Sequence, residues 1–243
     1  MENNNFNDYA YQNVTQLNDA DASRRFIANV FMWMFVALGI SAIFAYAFAT
    51  SPALLSTLIE PGRGLSAFGM FILFSPLAFV LVMRFGMNRI SFPVLMLIFI
   101  AYAVVMGITF SFILLAYTAG SVVGVFISAS LLFGVMAVAG YTTTQDLTKF
   151  GSLMYMLLIG IIIASVVNWF LHSSGLDMII SYVGVAVFVG LTGYKVQMLK
   201  NIGAGLEYGD ASAKKLALMG GLSLYITFVN LFLMLLRIFG RRR

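Results

Sequence analysis

The chain has no cysteine, one histidine and very few charges. Without Cys there is no disulfide, no thiol nucleophile and no thiolate metal site. His172 is the single histidine, so a multi-histidine zinc site cannot be assembled. Charged residues are 9% of the 243 residues, against about 25% in an ordinary soluble domain. The nine acids are Glu2, Asp8, Asp19, Asp21, Glu60, Asp146, Asp177, Glu207 and Asp210. None lies in the centre of a long apolar run, which argues against the buried carboxylate relays that drive many pumps. It also removes the paired carboxylates of hydrolytic chemistry. No glycine-rich loop follows a strand, and no serine sits in a nucleophile elbow beside a base. The expectation is a protein that is not an enzyme, with no cofactor and no metal site.

Apolar residues are what the chain has in abundance. They make up 61% of it, and the mean hydropathy is +0.98. Those values exclude a soluble globular domain and a disordered chain. A membrane helix needs about 20 mostly apolar residues. Seven runs meet that need, at 26–49, 65–83, 92–115, 121–140, 152–171, 178–194 and 216–236. They do not alternate as the strands of a membrane barrel would. The predicted fold is all-α, a polytopic transmembrane bundle of seven helices. The net charge of +5 would hint at nucleic acid in a soluble protein. Here the basic residues flank apolar runs, so the expected partner is the lipid bilayer and not nucleic acid.

Residues 1–23 are polar and rich in Asn, and no apolar stretch of the signal-peptide kind occurs there. They read as a disordered cytoplasmic tail, with Asp19, Asp21 and Ser23 as candidate caps of the first helix. Residues 24–240 form the membrane domain, and 241–243 a basic tail. Basic residues set orientation. With the N-terminus inside, nine of the 14 Lys and Arg lie on the cytoplasmic face and five outside. Four of those five, Arg237, Arg241, Arg242 and Arg243, follow the last span. A re-entrant run would bring them inside; seven full spans is the preferred reading. The implied location is the bacterial inner membrane.

The last span carries Ser223, Thr227 and Asn230 on one helix face, with Gly220 and Gly221 about a turn away. Polar side chains in lipid turn toward the bundle. The stripe is either an interhelical polar face or the lining of a hydrated pathway, and both place this helix centrally. Small residues also recur four apart, at Ala103, Gly107 and Ser111, at Gly124 and Ser128, and at Gly160 and Ala164. These faces predict close helix packing. Asn168 and Trp169 mark a membrane interface, and His172 lies just beyond it. The ends of the fourth and sixth runs, GYTTTQDLTKFG from Gly140 and GYKVQMLKNIG from Gly193, resemble each other.

Four stretches taken together resemble the Bax inhibitor-1 family, also called TMBIM or YccA-like. They are 101–121 (AYAVVMGITFSFILLAYTAGS), 140–151 (GYTTTQDLTKFG), 182–197 (YVGVAVFVGLTGYKVQ) and 222–240 (LSLYITFVNLFLMLLRIFG). The resemblance covers nearly all the chain after residue 24. It implies seven helices with the seventh central, and pH-sensitive leak of calcium. It also implies cations as cargo and, in bacteria, a membrane protease such as FtsH as partner. The family's pH sensor is a pair of aspartates latched to an arginine. The matching positions here are Lys195, Thr227 and Arg84. Both carboxylates are therefore missing, which implies that calcium leak is altered or lost. Lys195, at the end of an apolar run, would otherwise be expected to snorkel to the interface.

Overall fold

In hydrocarbon, backbone N–H and C=O groups must be satisfied within their own segment, so long apolar runs become helices. The computed structural model describes residues 4–60, 62, 64–87, 89–205 and 211–243, with side chains from Asp21 onward except that of residue 211. Eight helices follow in order: α1 Asn4–Thr50, α2 Pro52–Leu58, α3 Ala67–Gly86, α4 Phe92–Ala116, α5 Ala119–Thr142, α6 Thr148–Leu171, α7 Ser174–Ala204 and α8 Ala211–Phe239. All except α2 are long and apolar enough to cross a membrane. The protein is an all-α polytopic bundle with seven spans.

The connection 50–64 is more structured than hydropathy reveals. Ser51 caps α2, with Pro52 in its first turn. Two short antiparallel strands follow, β1 Ile59–Glu60 and β2 Gly64–Leu65. Gly62 and Gly64 adopt positive φ to turn this hairpin. Ser66 then starts α3. Its hydroxyl donates to the Thr57 carbonyl at 2.6 Å and accepts from the Gly69 N–H at 3.0 Å.

α8 is the most buried of the spans among the described residues. It packs against α1, α4, α5 and α7, and its Leu218, Leu224, Tyr225 and Leu231 are fully buried. α6 leans chiefly on α7, and α3 on α4. The last helix in sequence is thus the axis of the bundle, as the polar stripe predicts.

Three sequence expectations meet a different outcome. The backbone is helical from Asn4, continuous with the first span, where a disordered tail over 1–23 was expected. Nothing interrupts it, since residues 4–23 contain neither Gly nor Pro. Consequently Asp21 and Ser23 do not cap a helix start. Asp21 lies 3.8 Å from Arg24, and Ser23 donates to the Lys200 carbonyl at 2.9 Å. The side chain of Asp19 lies outside the described residues. α7 also continues well past 194, to Ala204.

The small-residue faces divide. On α4, Ala103, Gly107 and Ser111 are all buried, and a Cβ at Gly107 would stand 2.6 Å from the Ser41 carbonyl oxygen of α1. Gly124 and Ser128 are instead exposed, as is Gly160, and a Cβ at Gly124 or Gly160 would meet nothing. Side-chain packing through Val125, Ala129, Phe133 and Ala137 turns that α5 face outward. α5 makes its close approach at Gly140, where a Cβ would collide with the Gly193 backbone of α7. α6 does so at Gly151, against the Tyr194 ring. The two similar Gly-Tyr segments therefore meet in space at a helix crossing.

Gly→Ala in a helix normally stabilises by about 0.5–1 kcal/mol. Gly124→Ala should follow that sign. Gly140→Ala should destabilise, by about 1–3 kcal/mol, because rigid backbone must move. Thermal unfolding midpoints in detergent distinguish the two. In the α5–α6 loop, Asp146 accepts from the Thr148 hydroxyl at 2.6 Å and its N–H at 2.9 Å. These bonds hold the Asp146 carboxyl below the usual carboxylate range, the hydroxyl bond first. This Asp146–Thr148 turn is complete above the unfolded carboxylate pKa of about 3.9 and is lost as pH falls through the lowered folded value. Hydrogen exchange at Thr148 should lose protection over that acid range, and in Asp146→Asn protection should not vary with pH.

Candidate functional site

Val187, Leu191, Lys195 and Leu199 recur every four residues, so they share one face of α7, and all are buried. Lys195 is thus an amine in an otherwise apolar stripe facing α8, and only 8% of it is exposed. A buried ammonium or amine needs acceptors. Lys195 Nζ donates to Thr227 Oγ1 at 2.8 Å and to the Ser223 carbonyl at 3.4 Å. Thr227, 1% exposed, donates its own proton to the Ser223 carbonyl at 2.8 Å. The two positions singled out by the sequence motifs are therefore direct partners across the α7–α8 contact. Lys195 does not snorkel, because α7 extends beyond it and α8 supplies acceptors.

Arg84 does not join them. It is exposed in the last turn of α3, and it makes no ion pair or hydrogen bond among the described residues. The Tyr155 ring meets the ring of Tyr194, the neighbour of Lys195, edge-on at 6.1 Å. Among the described residues Asn230 bonds neither a neighbouring helix nor Lys195. Its Nδ2 donates to the Ile226 carbonyl of its own helix at 2.8 Å. Ser223 takes part through its carbonyl.

Two polar arrangements escaped the sequence reading. The first clamps the α5–α6 loop. Gln197 accepts from the Leu147 N–H at 2.8 Å and donates to the Gln145 carbonyl at 2.7 Å. Nearby, Lys200 donates to the Tyr141 carbonyl at 2.8 Å and lies over the Tyr141 ring. The recurring Gln and Lys of the two similar segments were a visible signal without an assigned role. The second lies deeper. Ser41 of α1 donates to the Ala103 carbonyl of α4 at 2.8 Å, and its oxygen is 2.8 Å from the Tyr225 hydroxyl of α8. The single serine proton is committed to the carbonyl, so Tyr225 is the donor to Ser41. Tyr225 is fully buried, and its ring meets Tyr102 edge-on at 5.8 Å. Lone Ser and Tyr residues in apolar runs gave no periodic signal.

At the opposite end, Arg237 pairs with Asp177 at 3.1 Å. The C-terminal residues run antiparallel to the α4–α5 turn. Thr118 N–H donates to the Arg241 carbonyl at 3.0 Å and Arg243 N–H to the Ala116 carbonyl at 3.0 Å. His172 ends α6 in the left-handed region, at φ 50°. Asn168 accepts from the Ser173 N–H at 3.1 Å, so it ties the α6–α7 turn beside the exposed Trp169.

Comparison with known proteins agrees with this architecture. Residues 23–243 match the family described as Inhibitor of apoptosis-promoting Bax1. The chain is 41% identical over 219 residues to the inner membrane protein YbhL of Escherichia coli (strain K12), covering 90% of this chain and 92% of that one. It is 40% identical over 220 residues to a protein of Borreliella burgdorferi, covering 90% and 93% of the two chains. It is 33% identical over 221 residues to a membrane protein of Streptococcus pyogenes serotype M3, covering 89% and 93%. With seven spans, a central last helix and this match along nine-tenths of its length, the chain belongs to the Bax inhibitor-1 family of multi-pass membrane proteins.

Proposed function

We propose that this chain is an inner-membrane protein of the Bax inhibitor-1 type whose calcium leak is lost, because Lys195 and Thr227 stand where the family carries its two sensor aspartates. The observation that carries this reading is the buried bond from Lys195 Nζ to Thr227 Oγ1. Two adjacent carboxylates share a proton at mild pH and attract a hard divalent cation. A lysine and a threonine do neither. The exchange alters the fixed charge from about −2 to +1, and a pair of unit charges a few ångströms apart interacts by about 1–4 kcal/mol. That repulsion opposes calcium entry. The same bond fastens α7 to α8 without any metal or proton. With the N-terminus cytoplasmic, the basic connections lie inside and this latch closes the cytoplasmic half of the bundle.

A second reading rests on the polar N-terminal segment, a handle that a membrane protease can engage. In that role the chain is a partner or modulator of the protease. Deleting residues 1–20 would then slow its turnover in cells.

Calcium flux into proteoliposomes tests the first reading. Wild type should show no flux above empty liposomes between pH 5 and 8. The double variant Lys195→Asp plus Thr227→Asp should conduct, with a flux that changes between pH 6 and 8. Calcium flux through the wild type at any of these pH values overturns the reading.

A further inference from the structure

We propose that the crevice between α4 and α5 binds an anionic phospholipid, with an acyl chain against α8 and the headgroup phosphate on the C-terminal arginines. α4 and α5 are joined by Tyr117 and Thr118 alone. Both pack on α8 and scarcely on each other. They splay apart around a crevice of about 240 Å³ whose walls also include α1. Its floor is Phe228 and Phe232 of α8. Phe126 of α5 meets those rings edge-on at 5.4 and 5.9 Å. Phe126 is 41% exposed and Ala42 of α1 is also exposed, so the crevice opens sideways at membrane depth.

The chemistry of the crevice selects hydrocarbon. Among the described residues Ser41 is its only polar lining residue. The Ser41 hydroxyl proton is already committed to the Ala103 carbonyl, and its oxygen already accepts from Tyr225. A ligand with polar atoms at that depth would find no uncommitted proton on Ser41 to accept, and desolvating those atoms would be costly. An acyl chain carries none.

The headgroup end is set by the fold. Leu114 and Val122 line the crevice in the last turn of α4 and the first turn of α5. The crevice therefore reaches to just beneath the Tyr117–Thr118 turn. Onto that turn the C-terminal residues are pinned by the backbone bonds of Arg241 and Arg243, and by Arg241 N–H donating to Ser121 Oγ at 3.0 Å. The Arg242 guanidinium lies 6.0 Å from the Tyr117 ring centre. All three arginines are exposed. Asp177, a carboxylate at this end, is committed to Arg237, and Arg241, Arg242 and Arg243 have no ion pair among the described residues. Guanidinium groups at the end of membrane spans match phosphate oxygens in geometry and charge. Exposed arginines whose backbone is pinned to the turn where an apolar slot ends complement one molecule: a phosphate joined to an acyl chain. Net positive charge favours an anionic over a zwitterionic headgroup.

The test is native mass spectrometry of the full chain in detergent with equal amounts of phosphatidylglycerol and phosphatidylcholine of the same acyl chains. Phosphatidylglycerol adducts should exceed phosphatidylcholine adducts about fivefold. Combined Arg241→Gln, Arg242→Gln and Arg243→Gln should bring the ratio near one. Ala42→Trp should reduce both adducts severalfold, and Val122→Phe is a second variant that fills the slot, each checked for an unchanged thermal transition. Glycerol 3-phosphate alone should give no adduct. Equal retention of the two lipids by wild type overturns the proposal, as does a preference that survives the triple change. Full retention in a folded slot-filling variant, or an adduct with glycerol 3-phosphate as persistent as that with the lipid, also overturns it.

Discussion

Polar groups carried into the bilayer must find their partners inside the protein, because no water is there to supply them. The arrangement around α8 follows from this constraint. Lys195 could not sit on the α7 face it occupies unless Thr227 and the Ser223 carbonyl lay opposite. Tyr225 could not be wholly buried without the Ser41 oxygen to accept its proton. These two sets of bonds tie α8 to α7 on one side and to α1 and α4 on the other. Helices in lipid lack the hydrophobic driving force that packs a soluble core, so such bonds and close van der Waals fit hold the bundle. Gly107, Gly140 and Gly151 supply the fit at the points where backbone or a ring comes nearest.

Much of the fold was legible because the membrane imposes a length and a composition on each span. The seven apolar runs correspond one to one with the seven long helices. The centrality of α8 was legible from Ser223, Thr227 and Asn230, since polar residues turn inward. What each of them touches was not. Asn230 satisfies itself on the Ile226 carbonyl, a choice that depends on the local rotamer and leaves no trace in spacing. Small-residue spacing worked for Gly107 and failed for Gly124 and Gly160. The same pattern faces lipid or protein according to which side the larger residues bury. The hairpin at 59–65 was illegible to a method that weighs long apolar windows, though Pro61, Gly62 and Gly64 marked a turn there.

The candidate site was legible in a different way. Lys195 and Thr227 are far apart in sequence and share no periodicity. Family motifs singled them out, and only packing joins them. Gln197 shows the converse. Its place in a repeated segment was visible, yet its work, reading one N–H and one C=O of the α5–α6 loop, depends on α7 running on past the apolar stretch. Sequence hydropathy ends that helix too early because Lys195, Gln197, Lys200 and Asn201 are polar, while their backbone remains helical and packed.

The axial position of α8 has a consequence for how the protein is made. A ribosome delivers the chain from its N-terminus, so the helix on which α1, α4, α5 and α7 all pack is synthesised after every one of them. Until it arrives, α1, α4, α5 and α7 surround an unfilled axis, and the Lys195 amine and Ser41 hydroxyl lack their α8 partners. The contacts of these four helices with α8 are therefore made only after all four have been synthesised. A chain truncated before residue 211 would lack the helix against which α1, α4, α5 and α7 all pack.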